Sequence, residues 1–235
     1  MSQPALSLSF FDPEHGLHGS ARSGMTLLFE GSSSRALADG VRIDRAGEGW
    51  HAELDREFAL DLTPVAPAAE LDGVTVHVCS ATGEVDGRQV RCLATVSEIH
   101  QGPSWDELDA LRSISALFDE GHAFLAIGRR PRGARGHDVE QTTAWLFNDG
   151  EAVAVEDARI STVYDGEGRQ RNASLELWLA DEDLAVRGSG SVIAGSSLQL
   201  EAVDVHAAIF RWRIGNREGA GAYELMTRRS EPEAA

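Results

Sequence analysis

The sequence predicts an all-β protein, on the evidence of its glycine content and two hairpin patterns. Glycine occurs 24 times in 235 residues, often beside Asp or Asn, as tight turns between strands require. Residues 74–99 alternate apolar and polar side chains around Asp86 and Gly87, a favoured two-residue turn. A second hairpin centres on Gly215 and Asn216. Apolar residues make up 42% of the chain and charged residues 25%, which is typical of a globular protein.

The first hairpin also places the two cysteines of the chain. With Asp86 and Gly87 at the turn, Cys79 pairs with Ala94, and Cys92 lies one diagonal step away on the same face. That position is unfavourable for a disulfide, so we expect two reduced thiols. Reduced thiols, and a start (MSQPALSLSF) without a basic and apolar leader, predict a cytoplasmic protein. The longest apolar run, residues 123–127, predicts no stable membrane insertion.

Charge and motifs exclude several classes of function. A net charge of −17 disfavours nucleic acid and anionic membranes as partners. All 21 basic residues are arginine, which excludes a lysine Schiff base and a phosphate-loop lysine. The chain has no G-x-S-x-G, H-E-x-x-H or C-x-x-C motif and no complete nucleotide-binding loop, so we expect no cofactor and no metal. We interpret Asp12, Glu14, His15 and His18 as a polar loop, because strand residues three apart point to opposite faces.

One segment has the pattern of a helix. Ser104 and Glu107 have the spacing of a capping box. The apolar residues that follow recur at helical spacing: Leu108, Leu111, Ile114, Leu117 and Phe118. We therefore predict a connecting helix within residues 104–120, between an N-terminal β module (1–103) and a C-terminal β module (121–229). We expect residues 230–235 to be a disordered tail.

The second hairpin has a defined register. A turn at Gly215 and Asn216 pairs Trp212 with Gly219 and Phe210 with Gly221, which places aromatic rings over cross-strand glycines. The residues that share this face are His206, Phe210, Trp212, Ile214 and Tyr223. The opposite face holds Arg211, Arg213, Glu218 and Glu224, with Arg213 directly opposite Glu218. We interpret Glu224 as a solvated salt-bridge residue.

Residues 121–147 hold the densest group of side chains capable of chemistry. Their loop contains four arginines: Arg129, Arg130, Arg132 and Arg135. This loop either holds a carboxylate or phosphate group through forked hydrogen bonds, or pairs with the surplus carboxylates of the acidic chain. If residues 137–147 form a strand, His137, Gln141 and Trp145 share a face that suits a pocket wall.

On that strand, Asp138 and Glu140 fall on the opposite face. His137 and Glu140 then point inward together only if the strand contains a bulge. A histidine–carboxylate pair for acid–base chemistry is therefore compatible with the sequence but not required by it.

Three segments, GHDVEQTTAW, ARISTVYDGEGRQR and HAAIFRWRIGNREGAGAYELMTRR, follow one another in this order. They resemble the C-terminal module of the lipocalin-like double-barrel proteins. That group includes carotenoid hydratases (hydroxyneurosporene synthases), tocopherol cyclase-like proteins and many uncharacterised bacterial members. The resemblance covers mainly residues 121–229. It implies a lipocalin-like (calycin) antiparallel barrel with an apolar cavity and, as in the hydratases, acid-catalysed addition of water to an isoprenoid double bond.

The resemblance also implies site residues. The candidates for the catalytic acid are His137, Asp138 and Glu140, and the candidate wall residues include Trp145, Tyr164, Trp178, Trp212 and Tyr223. The strand faces and the arginine loop add further candidates. The complete predicted ligand-binding set is Arg135, Gln141, Trp145, Tyr164, Trp178, His206, Phe210, Trp212 and Tyr223.

We therefore predict a protein that binds a hydrophobic small molecule, of the terpenoid, steroid or polyketide type, in a β-barrel cavity. One alternative is a cofactor-independent hydratase or cyclase that acts on such a molecule by acid–base catalysis. A second alternative is a non-catalytic scaffold or homodimer, which predicts that no cavity is present.

Overall fold

The computed structural model describes residues 3–22, 24–38, 40–134, 139–180, 182–200 and 202–229. Within these ranges the regular elements are β-strands and there is no α-helix, so the all-β prediction is confirmed. No helix long and apolar enough to cross a membrane occurs in the ranges described.

The strands form two antiparallel sheets. The first contains β1 (Ala5–Asp12), β2 (Leu17–Arg22), β3 (Met25–Glu30), β4 (Ser33–Leu37), β5 (Arg42–Ala46), β6 (Gly49–Leu54), β7 (Phe58–Pro64), β8 (Ala69–Leu71), β9 (Val74–Val85) and β10 (Arg88–Ile99). The second contains β11 (Leu108–Asp119), β12 (His122–Pro131), β13 (Gln141–Asn148), β14 (Glu151–Tyr164), β15 (Gln170–Leu179), β16 (Val186–Gln199), β17 (Val203–Ile214) and β18 (Arg217–Arg228).

The second sheet is a closed barrel in which each strand pairs with the next along the chain and β18 returns to β11. This is the up-and-down arrangement of lipocalin-like barrels. The first sheet has the order β4-β3-β2-β1-β10-β9-β7-β6-β5, with β8 beside β9. It curls around its own apolar core, to which Leu8, Phe10, Trp50, Leu60 and Val96 belong.

Alternation along each strand assigns the side chains to two faces. In the barrel the inward face packs into a second core, which contains Phe124, Phe210, Trp212 and Tyr223, each fully buried. The predicted registers are confirmed. Cys79 pairs with Ala94, and both cysteines are free and buried.

The hairpin β17–β18 also has the predicted register. Trp212 pairs with Gly219, Phe210 pairs with Gly221, and Arg213 forms an ion pair with Glu218. The reason for glycine in β18 differs from the prediction, however. A Cβ at Gly221 would overlap the backbone of the neighbouring strand β11, not an aromatic ring.

The predicted connecting helix is wrong, because its core region forms strand β11. Ile114 and Ala116 point into the barrel core, whereas Leu111 and Leu117 point outward to a third apolar core. Since both faces of β11 are buried, apolar residues occur at odd and even positions and imitate helical spacing. Ser104 and Glu107 form a turn, in which the Glu107 amide donates to the Ser104 carbonyl at 3.0 Å.

The third core lies between the first sheet and the outer surface of the barrel. The first sheet contributes residues such as Phe11, Phe29 and Val76, and the barrel contributes residues such as Leu125 and Ile209. The two sheets therefore pack face to face, and one side of the barrel is covered by the first sheet. This packing creates the candidate site.

Candidate functional site

A cavity of about 300 Å³ lies between the first sheet and the outer face of the barrel; we call it the sheet–barrel cavity. Its walls come from β1, β2, β3, β8, β9 and β10 on one side and from β11, β12, β17 and β18 on the other. The segment that connects the sheets contributes Gln101, Pro103 and Trp105.

One part of the cavity wall is lined by hydroxyl groups. On the first sheet, Ser9 pairs with both Thr95 and Ser20, and Ser7 pairs with Ser97, so their side chains form one contiguous patch. The reason is the alternation in β1, where Leu8 and Phe10 enter the core of the first sheet and the intervening serines face the barrel.

The barrel adds two further serines to this polar part. Ser113 and Ser115 lie on the outward face of β11, and the Ser115 hydroxyl accepts a hydrogen bond from the Ala222 amide at 3.2 Å. The rest of the lining is mostly apolar: Phe29, Leu71, Val74, Val76, Leu111, Leu125, Ile127, Ala207, Ile209, Ala222 and Met226. The cavity thus has a hydroxyl-bearing side and an apolar side.

An ion pair between Arg22 and Glu224 spans the cavity from the first sheet to the barrel. The Arg22 side chain is 28% exposed and the Glu224 side chain 14%. The predicted salt bridge of Glu224 is present, but its predicted exposure to solvent is wrong, because the first sheet covers this face of β18. A second cation at the cavity, Arg129, lies with its Nε 2.6 Å from Asp72 Oδ2 and donates from a terminal nitrogen to the Asp72 carbonyl at 2.7 Å.

Inside the barrel, a polar group of four residues lies near the end where β11 begins. We call Arg112, Glu140, Thr162 and Tyr223 the Arg112 cluster. Arg112 is only 4% exposed and forms an ion pair with Glu140, whose side chain is 9% exposed. One terminal nitrogen of Arg112 donates to the Ile160 carbonyl at 3.2 Å and to the Tyr223 hydroxyl at 3.4 Å. Tyr223 and Thr162 also share a hydrogen bond of 2.6 Å.

The Arg112 cluster joins two strands that separate. The ladder between β13 and β14 runs from the pair Trp145–Ala154 to the pair Asn148–Glu151. The first half of β13 and the last half of β14 lie beyond that ladder. Arg112 bridges this gap, because it pairs with Glu140, which directly precedes β13, and donates to the Ile160 carbonyl of β14. Burial raises the pKa of Tyr223, so its hydroxyl remains protonated and can donate or accept.

Three predicted site residues, Arg135, His137 and Asp138, lie outside the described residues. The side chain of Glu140, the third proposed acid, points into the barrel and forms an ion pair with Arg112. The faces of β13 are the reverse of those predicted for a pocket inside the barrel. Gln141 is exposed, and Trp145 points outward, donating from Nε1 to the Glu70 carbonyl of the first sheet at 2.9 Å.

The other predicted ligand-binding residues are divided between the two faces of the barrel. Phe210, Trp212 and Tyr223 fill its core. His206 lies near the same end as the Arg112 cluster, with its Nδ1 2.8 Å from Ser197 Oγ. Trp178 lies on the outer face, where the Arg159 guanidinium stacks 4.8 Å from its ring centroid.

Tyr164 lies near the Arg112 cluster and affects the pKa of Arg112. Burial lowers this pKa, but the nearby Tyr223, Glu140 and Tyr164 raise it, and the net shift of the Arg112 pKa is upward. Sequence reasoning missed Arg112 itself, although an arginine inside an apolar segment was a usable signal.

Among the residues that the structure describes, no group of three or more His, Cys, Asp or Glu side chains is placed to hold a metal ion.

Comparisons with known proteins show a shared fold. A crystal structure of a Nitrosomonas europaea protein, provisionally assigned as AttH, aligns over 96% of this chain and 92% of its own length, with 12% identity and a TM-score of 0.64. This similarity concerns the fold alone.

A second structure, a Nostoc punctiforme PCC 73102 protein of unknown function from the DUF3598 family, aligns over 97% of this chain and 96% of its own. Its identity is 10% and its TM-score is 0.16, which is too low to support an argument. No protein-family model matches the chain, and no curated protein matches it.

Proposed function

We propose that this protein binds a hydrophobic small molecule carrying polar groups, of the terpenoid, steroid or polyketide type, in the sheet–barrel cavity. The observation that supports the proposal is the division of the cavity into a hydroxyl-bearing side and an apolar side. Ligand pockets typically have volumes of about 300–1,000 Å³ and mostly apolar walls with a few polar groups. The sheet–barrel cavity, at about 300 Å³, lies at the lower end of that range.

Small side chains maintain the open space. Ala207, Ala222 and Ser115 occupy the barrel side of the cavity, where a larger apolar residue would add buried contacts between the sheets. Protein interiors are normally close-packed, and empty space in them lowers stability. These three small residues in the barrel part of the wall are therefore consistent with a space kept for a ligand.

The proposed site lies outside the barrel, in contrast to the barrel cavity predicted from the sequence. The barrel axis is occupied by Phe124, Phe210, Trp212 and Tyr223. A hydratase or cyclase needs an acid presented to its substrate. Glu140, the predicted acid that lies within the described residues, instead faces Arg112. The hydroxyl-bearing and apolar sides of the sheet–barrel cavity favour binding as the function.

Native mass spectrometry of freshly purified protein tests this proposal. We expect the wild type to carry an apolar compound that organic solvent extracts. Ala222→Phe places a ring in the sheet–barrel cavity and should prevent its retention. Ser174→Phe is the matched control, since Ser174 is exposed on β15. Protein without a bound compound, or equal retention by both variants, would count against the proposal.

A further inference from the structure

We infer that the ligand of the sheet–barrel cavity is electrically neutral and oxygen-bearing, such as an alcohol, ketone or lactone, and is neither an acid nor an amine. This inference rests on the proposed function and specifies its ligand. It is drawn from the charges and hydroxyl groups of the cavity wall.

The charges at the cavity are already balanced. Among the described lining residues the charged side chains are Arg22, Arg129 and Glu224. Arg22 is paired with Glu224, and Arg129 is paired with Asp72. An ionic ligand would lose its hydration on entering the cavity and would find no unpaired charge there in return. A carboxylate would also approach a protein with a net charge of −17.

The hydroxyl groups match a neutral partner. Serine and threonine hydroxyls can both donate and accept hydrogen bonds, so they suit a ligand hydroxyl or carbonyl equally well. Ser7 and Ser9 alternate along β1, and Ser97 and Thr95 lie opposite them on β10. These hydroxyl-bearing residues form a grid, with a spacing of roughly 5 Å between neighbouring strands and 7 Å along each strand.

This grid predicts the arrangement of oxygens on the ligand. A molecule with oxygens along one edge can bond several hydroxyls of the first sheet at once. Its apolar edge then faces residues such as Leu125, Ile127 and Ile209 of the barrel. An unbranched hydrocarbon without oxygen would leave the hydroxyls without ligand partners, and these groups would lose water on burial.

Three probes that differ only in their head group test the inference: decanol, decanoate and decylammonium, titrated by isothermal calorimetry at neutral pH. We expect decanol to bind the wild type at least about tenfold more tightly than either ion. Ser97→Ala should weaken decanol binding, because it removes one hydroxyl of the grid.

Two substitutions should change the head-group preference in opposite directions. Glu224→Gln leaves Arg22 without its carboxylate partner, so decanoate should bind more tightly than it binds the wild type. Arg22→Gln leaves Glu224 without its cation, so decylammonium should gain instead. Glu218→Gln is the matched control, because it removes a carboxylate of β18 whose exposed partner is Arg213. This control should retain the wild-type preference.

The outcomes separate the inference from the proposed function. If decanoate or decylammonium binds the wild type as tightly as decanol, and Ala222→Phe weakens that binding, the neutral-ligand inference is overturned while binding in the cavity stands. If no probe binds, or if Ala222→Phe leaves binding unchanged, the proposed function fails together with the inference.

Discussion

Replacing Arg112 by Met should destabilise the barrel far more than an exposed arginine substitution would. The change removes the cation that faces Glu140 and the donor to the Ile160 carbonyl and the Tyr223 hydroxyl. Removing one partner of a buried ion pair typically lowers the free energy of unfolding by about 3–5 kcal/mol. For a chain of this length that corresponds to a fall in Tm of roughly 6–20 °C.

Urea denaturation followed by circular dichroism measures this free energy. Arg213→Met breaks the exposed pair with Glu218 on β17–β18 and should cost less than about 1 kcal/mol. The double variant Arg112→Met/Glu140→Met removes both buried charges and should recover much of the lost stability, because apolar replacements of buried pairs are often near neutral. A loss below about 1 kcal/mol for Arg112→Met, or a double variant as unstable as the sum of the single variants, would refute this reasoning.

Three further predictions concern pH, thiols and backbone packing. Burial lowers the pKa of His18 in the folded state from 6.5 to about 4. Between these pH values the unfolded chain binds a proton at His18 that the folded protein does not. The free energy of unfolding should therefore fall by up to about 3 kcal/mol as the pH drops from about 6.5 to 4. The variant His18→Phe should lack this component in denaturation curves measured across that range, and an unchanged pH dependence would contradict the prediction. Burial raises the pKa of Cys79 and of Cys92 to about 12. Iodoacetamide should therefore label neither thiol in the native protein near neutral pH, but both thiols in urea. Rapid labelling of the native protein would contradict this prediction. Gly221→Ala should reduce the free energy of unfolding by about 1–3 kcal/mol, since the added methyl overlaps the backbone of β11. Gly102→Ala is the control, because its added methyl meets open space. Equal effects of the two changes would argue against the packing explanation.

The hairpin registers could be predicted from the sequence because local turn chemistry sets them. Asp86 and Gly87 connect β9 to β10, and Gly215 and Asn216 connect β17 to β18, so each pairing follows by counting from the turn. The same counting placed Cys79 opposite Ala94. These predictions required no knowledge of the packing between the two sheets.

Predictions that depended on packing between the sheets were wrong or incomplete. The helix prediction for β11 was wrong because the first sheet covers its outer face, so Leu111 and Ile114 are both buried on opposite sides. Trp145 is turned toward the first sheet for the same reason. Local periodicity shows that such a residue is buried, but it does not show which of two cores the residue joins.

The sheet–barrel cavity could not be predicted from a local pattern. Its hydroxyl patch combines Ser9 of β1, Thr95 of β10 and Ser115 of β11, which are distant in sequence and meet only when the sheets pack. The Arg112 cluster has the same origin, since Arg112 and Tyr223 come from opposite ends of the barrel segment. The sequence contains these residues but not their proximity.

The most direct measurement for the proposed site is a titration of decanol into three proteins: wild type, Ala222→Phe and Ser174→Phe. Trp105 lies on the cavity wall, so its fluorescence should report binding. We predict equal affinity for wild type and Ser174→Phe, and a loss of at least about tenfold for Ala222→Phe. Equal affinity in all three proteins would contradict binding between the sheet and the barrel.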